Sequence, residues 1–225
     1  MKNQDYLYLD HAASTPMRKS AMDKYIEAES FGFANSSGGH KLSRNSKNLL
    51  EDSREVISEL FNSAPGEIIF TSGGTEADNW TIKSLFDSKI TNSNLVTSNI
   101  EHEAVLASAE WVSSNGFQTK YAKSDENGFV TKDEFINQID DETIVASLMW
   151  GNNETGVIQP IKDISKELKS TNSSTLFHSD VVQGIISDNV DFHKNGIESA
   201  AISVSYTHLE PTRLAGISDG GLCLK

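Results

Sequence analysis

Short apolar runs alternate with longer segments in which apolar residues recur every three to four positions. Runs at Ile68–Thr71, Leu95–Ser98, Gln118–Ala122, Ile144–Met149, Leu176–Asp180 and Ala200–Ser203 predict buried strands. Helical spacing between most of them predicts helices near Thr75–Phe86, Ala104–Asn115, Thr131–Ile139 and Pro160–Lys169. Thr131 with Glu134 predicts a capping box for the third helix, and Pro160 suits the first turn of the fourth. Upstream, Thr15 as cap and Pro16 as first residue predict a helix running to about Ser30. A Gly/Ser/Asn-rich loop from Gly32 to Gly39 then leads to a long amphipathic helix with Leu42, Leu49, Val56, Leu60 and Phe61 on one face. The alternation implies an α/β fold, a mainly parallel sheet flanked by helices.

That reading places several polar residues on one edge. Gly73-Gly74-Thr75, His102, Asn153 and Asp180 each fall at or just after the C-terminal end of a predicted strand, and in open parallel sheets ligands bind along that edge. The segment Thr71-Ser72-Gly73-Gly74-Thr75-Glu76-Ala77-Asp78-Asn79 joins a strand to a helix. Its glycines let the backbone approach a phosphate, and the helix N-terminus favours an anion. It carries neither the dinucleotide nor the nucleoside-triphosphate fingerprint. The plainer alternative is an ordinary turn in which Thr75 caps the helix. Asp180 ends an apolar strand, where a carboxylate is costly unless paired; capping the next segment at Val181 is its alternative role. Asn153 could equally be a turn-forming residue before Gly156.

Composition narrows the partners. The 225 residues are 37% hydrophobic and 23% charged, as in a soluble globular protein. A net charge of −13 argues against nucleic acid or an anionic membrane as partner. One cysteine, Cys223, forms no internal disulfide framework and suits a reducing compartment. With no apolar leader and no membrane-length apolar stretch, the chain reads as cytoplasmic. The six histidines include no His-x-x-x-His spacing, so no metal site is expected.

Taken in order, Leu9-Asp10-His11-Ala12-Ala13-Ser14-Thr15-Pro16, Ser72-Gly73-Gly74-Thr75-Glu76-Ala77-Asp78-Asn79, Glu101-His102, Asn152-Asn153-Glu154-Thr155-Gly156 and His178-Ser179-Asp180-Val181-Val182-Gln183 resemble the cysteine desulfurases. These are pyridoxal-phosphate enzymes of the class V aminotransferase superfamily. The resemblance implies the large domain of pyridoxal-phosphate fold type I, pyridoxal 5'-phosphate as cofactor and L-cysteine as substrate. The family converts L-cysteine to L-alanine and passes sulfur to an enzyme cysteine as a persulfide, for iron-sulfur cluster or thio-cofactor synthesis. It further implies a sulfur-acceptor or scaffold protein as partner and a homodimer. Residue by residue, Gly74 and Thr75 would take the cofactor phosphate, and Asp180 would face the pyridine nitrogen. His102 would stack on the ring and move protons, as the catalytic residue. Asn153 and Gln183 would lie near the phenolic oxygen, and Ser203 resembles the last matched residue of the cofactor site. The resemblance leaves open another class V aminotransferase, a selenocysteine lyase-like enzyme, or a non-catalytic binding module.

The resemblance stops after Ser203. The family continues Ser-Gly-His-Lys, the lysine forming the Schiff base with the cofactor; here Val204, Ser205 and Tyr206 follow. The organisation read from sequence is therefore an N-terminal arm over 1–15, a partial cofactor-binding domain over 16–203 and an unmatched tail over 204–225. The tail is expected to lack the family's next strand, which leaves the sheet incomplete. It also lacks the sulfur-accepting cysteine, since Cys223 has no counterpart there. The chain as given is expected to be inactive.

Overall fold

A computed structural model describes residues 7–86, 92–171, 174–186, 191–203 and 221–224, with only the backbone at 186 and 221–224. The architecture is a seven-stranded sheet with helices on both faces. In chain order its elements begin with α1 (Lys19–Gly32), α2 (Lys41–Phe61), β1 (Ile68–Thr71), α3 (Gly74–Ser84) and β2 (Asn94–Ser98). They continue through α4 (Glu103–Ser114), β3 (Gln118–Ala122), α5 (Lys132–Ile136), β4 (Thr143–Ser147) and α6 (Ile161–Ser170). The last are β5 (Leu176–Asp180), α7 (Phe192–Asn195), β6 (Ser199–Ser203) and β7 (Gly221–Leu224). The strand order is β1-β7-β6-β5-β4-β2-β3. Five neighbours, from β3 to β6, pair in parallel, while β7 is antiparallel to both β1 and β6.

Period-two alternation sorts the strand side chains into two cores. Val96, Ala146, Phe177, Ala200 and Ile202 point into the larger one, closed by Ile57 and Phe61 of α2, Phe135 of α5 and Ile161, Ile164 and Leu168 of α6. Leu95 and Val145 point the other way, against Ile82 of α3 and Val105, Ala109 and Val112 of α4. Ala201 meets Ala77 of α3 on that same side. Two small residues in contact bring α3 close to the sheet.

Four expectations change. The first helix starts at Lys19 rather than Pro16, because the Thr15 hydroxyl is engaged by the His11 ring at 3.0 Å instead of capping. In α2 the buried stripe is Ser43, Ser46, Ser53, Ile57, Ser58 and Phe61, and Leu42 is 43% exposed. Its serines donate to carbonyls, Ser46 Oγ to Gly32 O of α1 at 3.0 Å and Ser53 Oγ back to Leu49 O at 2.7 Å, so they are satisfied where hydrophobicity predicts exposure. The capping box of α5 is half made: Thr131 Oγ1 accepts from Glu134 N–H, while the Glu134 carboxylate accepts from Lys123 N–H. The fourth change concerns the tail. The expectation of a missing strand does not hold, for β7 lies between β1 and β6 with all four of its residues in register with each neighbour. Strand pairing runs through backbone groups, so a segment unmatched in sequence can still fill the slot.

Candidate active site

Six polypeptide segments reach the C-terminal edge of the sheet and enclose a cleft of about 580 Å³. All seven site residues named from sequence line it: Gly74, Thr75, His102, Asn153, Asp180, Gln183 and Ser203. Tyr206, the residue in the lysine's place, lies outside the described residues.

The turn after β1 is set by Gly73 and Gly74. Gly73, not Thr75, is the cap residue, and it makes no side-chain cap bond. Ala77 N–H to Gly73 O, at 3.2 Å, is the first bond of the α3 ladder, so the N–H groups ahead of it have no acceptor within the helix. A Cβ on Gly74 would stand 3.0 Å from Val182 Cγ2 and 3.7 Å from Ser203 Cβ. Glycine there lets the turn close onto the ends of β5 and β6. Ser72 N–H donates to Glu76 Oε2 at 2.5 Å, and hydrogen bonds from Ser72 hold the Glu76 carboxyl below its ordinary range.

His102 caps α4. Its Nδ1 accepts from Ala104 N–H at 3.2 Å, which leaves Nε2 to carry the proton of the neutral ring. The preceding Glu101 is 6% exposed and clamps two strand ends: its Oε1 accepts from Ser98 Oγ at 2.7 Å and from Met149 N–H at 3.0 Å. Burial pushes its carboxyl up to about 8, and Oε2 has no hydrogen-bond partner among the described residues.

After β4 the backbone follows an Asx turn, and Asn152 makes it. Its Oδ1 accepts from Glu154 N–H at 2.9 Å and Thr155 N–H at 2.8 Å, its Nδ2 donates to Ile100 O at 2.9 Å, and Gly156 closes the turn at φ 73°. The turn-forming role weighed for Asn153 thus belongs to its neighbour, and Asn153 is left to line the cleft.

Asp180 ends β5, 5% exposed. Its Oδ1 accepts from Val182 N–H at 2.9 Å, so it shapes the local turn and lines the cleft at once. Burial pushes it up to about 7, with the Val182 N–H pulling the other way. Gln183 Nε2 donates to Ala12 O at 3.3 Å and ties the N-terminal arm over the cleft, where Asp10, Ala12 and Ala13 complete the lining. Behind Asp180, His178 Nε2 lies 3.0 Å from Asp78 Oδ1. Sequence reasoning missed this pair and the Glu101 clamp. For Asp78 a signal existed: it stands four residues after Gly74, on the helix face that must meet the sheet.

Among the described residues no group of three or more His, Cys, Asp or Glu is placed to hold a metal, and no helix is long and apolar enough to cross a membrane.

With this geometry in hand, comparison with known proteins is specific. The family model for aminotransferase class-V matches residues 7–205. Cysteine desulfurase IscS of Methanosarcina thermophila is 37% identical over 198 residues, covering 88% of this chain and 48% of the relative. Two solved structures superpose with a TM-score of 0.87: "SspA in complex with cysteine" at 28% identity and a "NIFS-LIKE PROTEIN" at 29%. Each covers 97% of this chain, which spans 61% and 58% of those chains. The chain thus spans about half the length of the relatives it matches by sequence. The backbone is that of the pyridoxal-phosphate-dependent NifS-like proteins, mainly parallel with flanking helices.

Proposed function

This chain belongs to the aminotransferase class V family, and from that premise we propose that it is the cofactor-binding portion of a cysteine desulfurase. The observation that carries the proposal is one cleft bringing the N-terminus of α3 and the buried Asp180 within reach of a single ligand. Pyridoxal 5'-phosphate has a dianionic group at one end and a protonatable ring nitrogen beside the other, and the residues present fit it. Gly74 and Thr75 would hold the phosphate at the helix start, where free N–H groups and the dipole favour an anion. Asp180 would face the ring nitrogen, His102 would lie on the ring, and Asn153 and Gln183 would reach the phenolic oxygen. Ser203 closes the site beside Gly74. When bound, the cofactor supplies an electron sink for a carbanion at the substrate's α-carbon.

The chain's own residues then divide the work. Asp180 would keep the ring nitrogen protonated, because its raised carboxyl ionises readily only beside a cation. His102 presents Nε2, the nitrogen free of the helix cap, as the group that moves a proton. L-cysteine is the substrate we favour, because the relatives that match most of this chain are named for it. A sulfur-acceptor protein, a role in iron-sulfur cluster assembly and a cytoplasmic homodimer follow from the same reading. The exposed apolar residues of α1 support the dimer. The 225 residues bind the cofactor without a covalent bond and do not desulfurate cysteine, since position 206 is Tyr and Cys223 lies beyond the matched region. Fluorescence titration with pyridoxal phosphate should give saturable binding near one equivalent that inorganic phosphate competes away. Borohydride should trap no adduct at residue 206. A stoichiometric adduct at one lysine, or no saturable binding, would defeat this reading.

A further inference from the structure

Asp78, which reaches the cleft lining, and His178 behind it form a buried unit that none of the roles above uses. Asp78, on α3, is 1% exposed and His178, on β5, is fully buried. Beyond the 3.0 Å contact between them, His178 Nδ1 lies 3.1 Å from Ser199 Oγ, which is 2.8 Å from Thr81 Oγ1 back on α3. Four side chains from α3, β5 and β6 thus make one chain of polar contacts. The titratable groups acting on it are Asp180, two residues along β5 on the same face, and Glu101 from the segment between β2 and α4, while His102 at the start of α4 acts on Asp180.

Where the protons sit follows from burial. A doubly ionised pair of Asp78 and Asp180 would place like charges together in a site of low dielectric. An imidazolium–carboxylate pair would require two charges fully out of water. An ionised Asp78 beside a neutral ring would leave a lone charge buried with no counter-ion, so the arrangement that burial favours is neutral: Asp78 donates its carboxyl proton to Nε2, and Nδ1–H donates toward Ser199. Burial also lowers His178 to about 4 and raises Asp78 well above the ordinary carboxylate range, both in the direction of the neutral forms.

We propose that Asp78 and His178 are positioning residues that share one proton as a neutral pair, leaving Asp180 as the carboxylate that ionises at the cleft floor. The proposal rests on the reading of Asp180 as the cofactor's partner only for its purpose; the proton arrangement belongs to the chain alone. It is tested on the cofactor-free 225-residue chain with ring-15N histidine and carboxyl-13C aspartate. The His178 ring should show Nδ1 protonated and Nε2 unprotonated throughout pH 5 to 8. The Asp180 midpoint, identified by the signal lost in Asp180→Asn, should move by less than about 0.3 pH unit in Asp78→Asn, because that change removes no charge. A proton on Nε2 in the unsubstituted chain, or a fall of about one unit or more in the Asp180 midpoint, would overturn the proposal. The ring measurement needs no variant at either residue. A pyridoxal phosphate titration on the same sample separates the two ideas, since absent binding defeats the cofactor reading and leaves the proton positions measured.

Discussion

Burial strips Asp180 of much of its charge, and a bound cation can restore it. Its carboxyl is pushed up to about 7 because the strand end desolvates it. A protonated ring nitrogen placed against it would pull that value down and be held in return. Asp180→Asn should therefore weaken pyridoxal phosphate binding at pH 7 by about 1.5–3 kcal/mol, the range for a hydrogen bond to a charged group. Asn153→Ala should cost about 0.5–1.5 kcal/mol, as for one neutral hydrogen bond. Fluorescence titration of both variants checks the order, and equal losses would contradict the role given to Asp180. The cleft residues were legible in the sequence because each ends a strand or follows one closely, and strand ends in a parallel sheet share an edge. The support beneath them was not. Asp78 meets His178 across 100 positions, and Glu101 joins Met149 across 48, and one sequence carries no signal that pairs such distant residues.

Between elements, contacts are set as much by what is missing from a side chain as by what is present. Gly184, just after β5, lies against Trp150, and a Cβ there would stand 2.5 Å from the indole Cγ and Cδ1. Trp150 is buried in the larger core, so the ring has little room to retreat. Gly184→Ala should destabilise the fold by about 1–3 kcal/mol, the usual range for overpacking, read as a lower urea midpoint with unchanged slope. The strands were legible within a residue or two, since short apolar runs bounded by turn residues have few other readings. Departures came where polar side chains found partners that the apolar pattern does not record: Thr15 with His11, Glu134 with Lys123, and the serines of α2 with carbonyls of α1 and α2. β7 escaped notice for another reason. The place of Gly221–Leu224 depends on a gap between β1 and β6 that no local pattern records.

At the scale of the whole molecule, buried acids tie stability to pH. Asp180 and Glu101 keep protons up to about 7 and about 8 in the fold, whereas in the unfolded chain they lose them in the ordinary carboxylate range. The fold binds more protons over that interval, so its stability falls as pH rises through it. His178, lowered to about 4, acts in the opposite sense, but that contribution is complete by its ordinary value of 6.5. The melting temperature should therefore drop between pH 6.5 and 8, and Glu101→Gln should flatten the drop if its burial is the cause. The larger consequence concerns assembly. No residue of α1 is buried, although Met22, Tyr25, Ile26 and Phe31 are 42%, 46%, 61% and 37% exposed. Leu7 and Leu9 of the arm add 84% and 77% exposure beside them in sequence. A 14-residue helix gains little from its own ladder in water and is normally held by a buried face. An apolar surface of this kind marks an interaction site. With β7 filling the sheet between β1 and β6, association need not come from an unpaired strand there, and α1 with the arm offers an apolar surface for it. The 225-residue chain should sediment as a species larger than a monomer, in a concentration-dependent way. Tyr25→Glu with Ile26→Glu should shift it toward monomer while leaving the sheet's far-ultraviolet signature intact. A chain that stays monomeric and melts cooperatively at every concentration would show that α1 is stable uncovered, and would remove the structural support for a dimer.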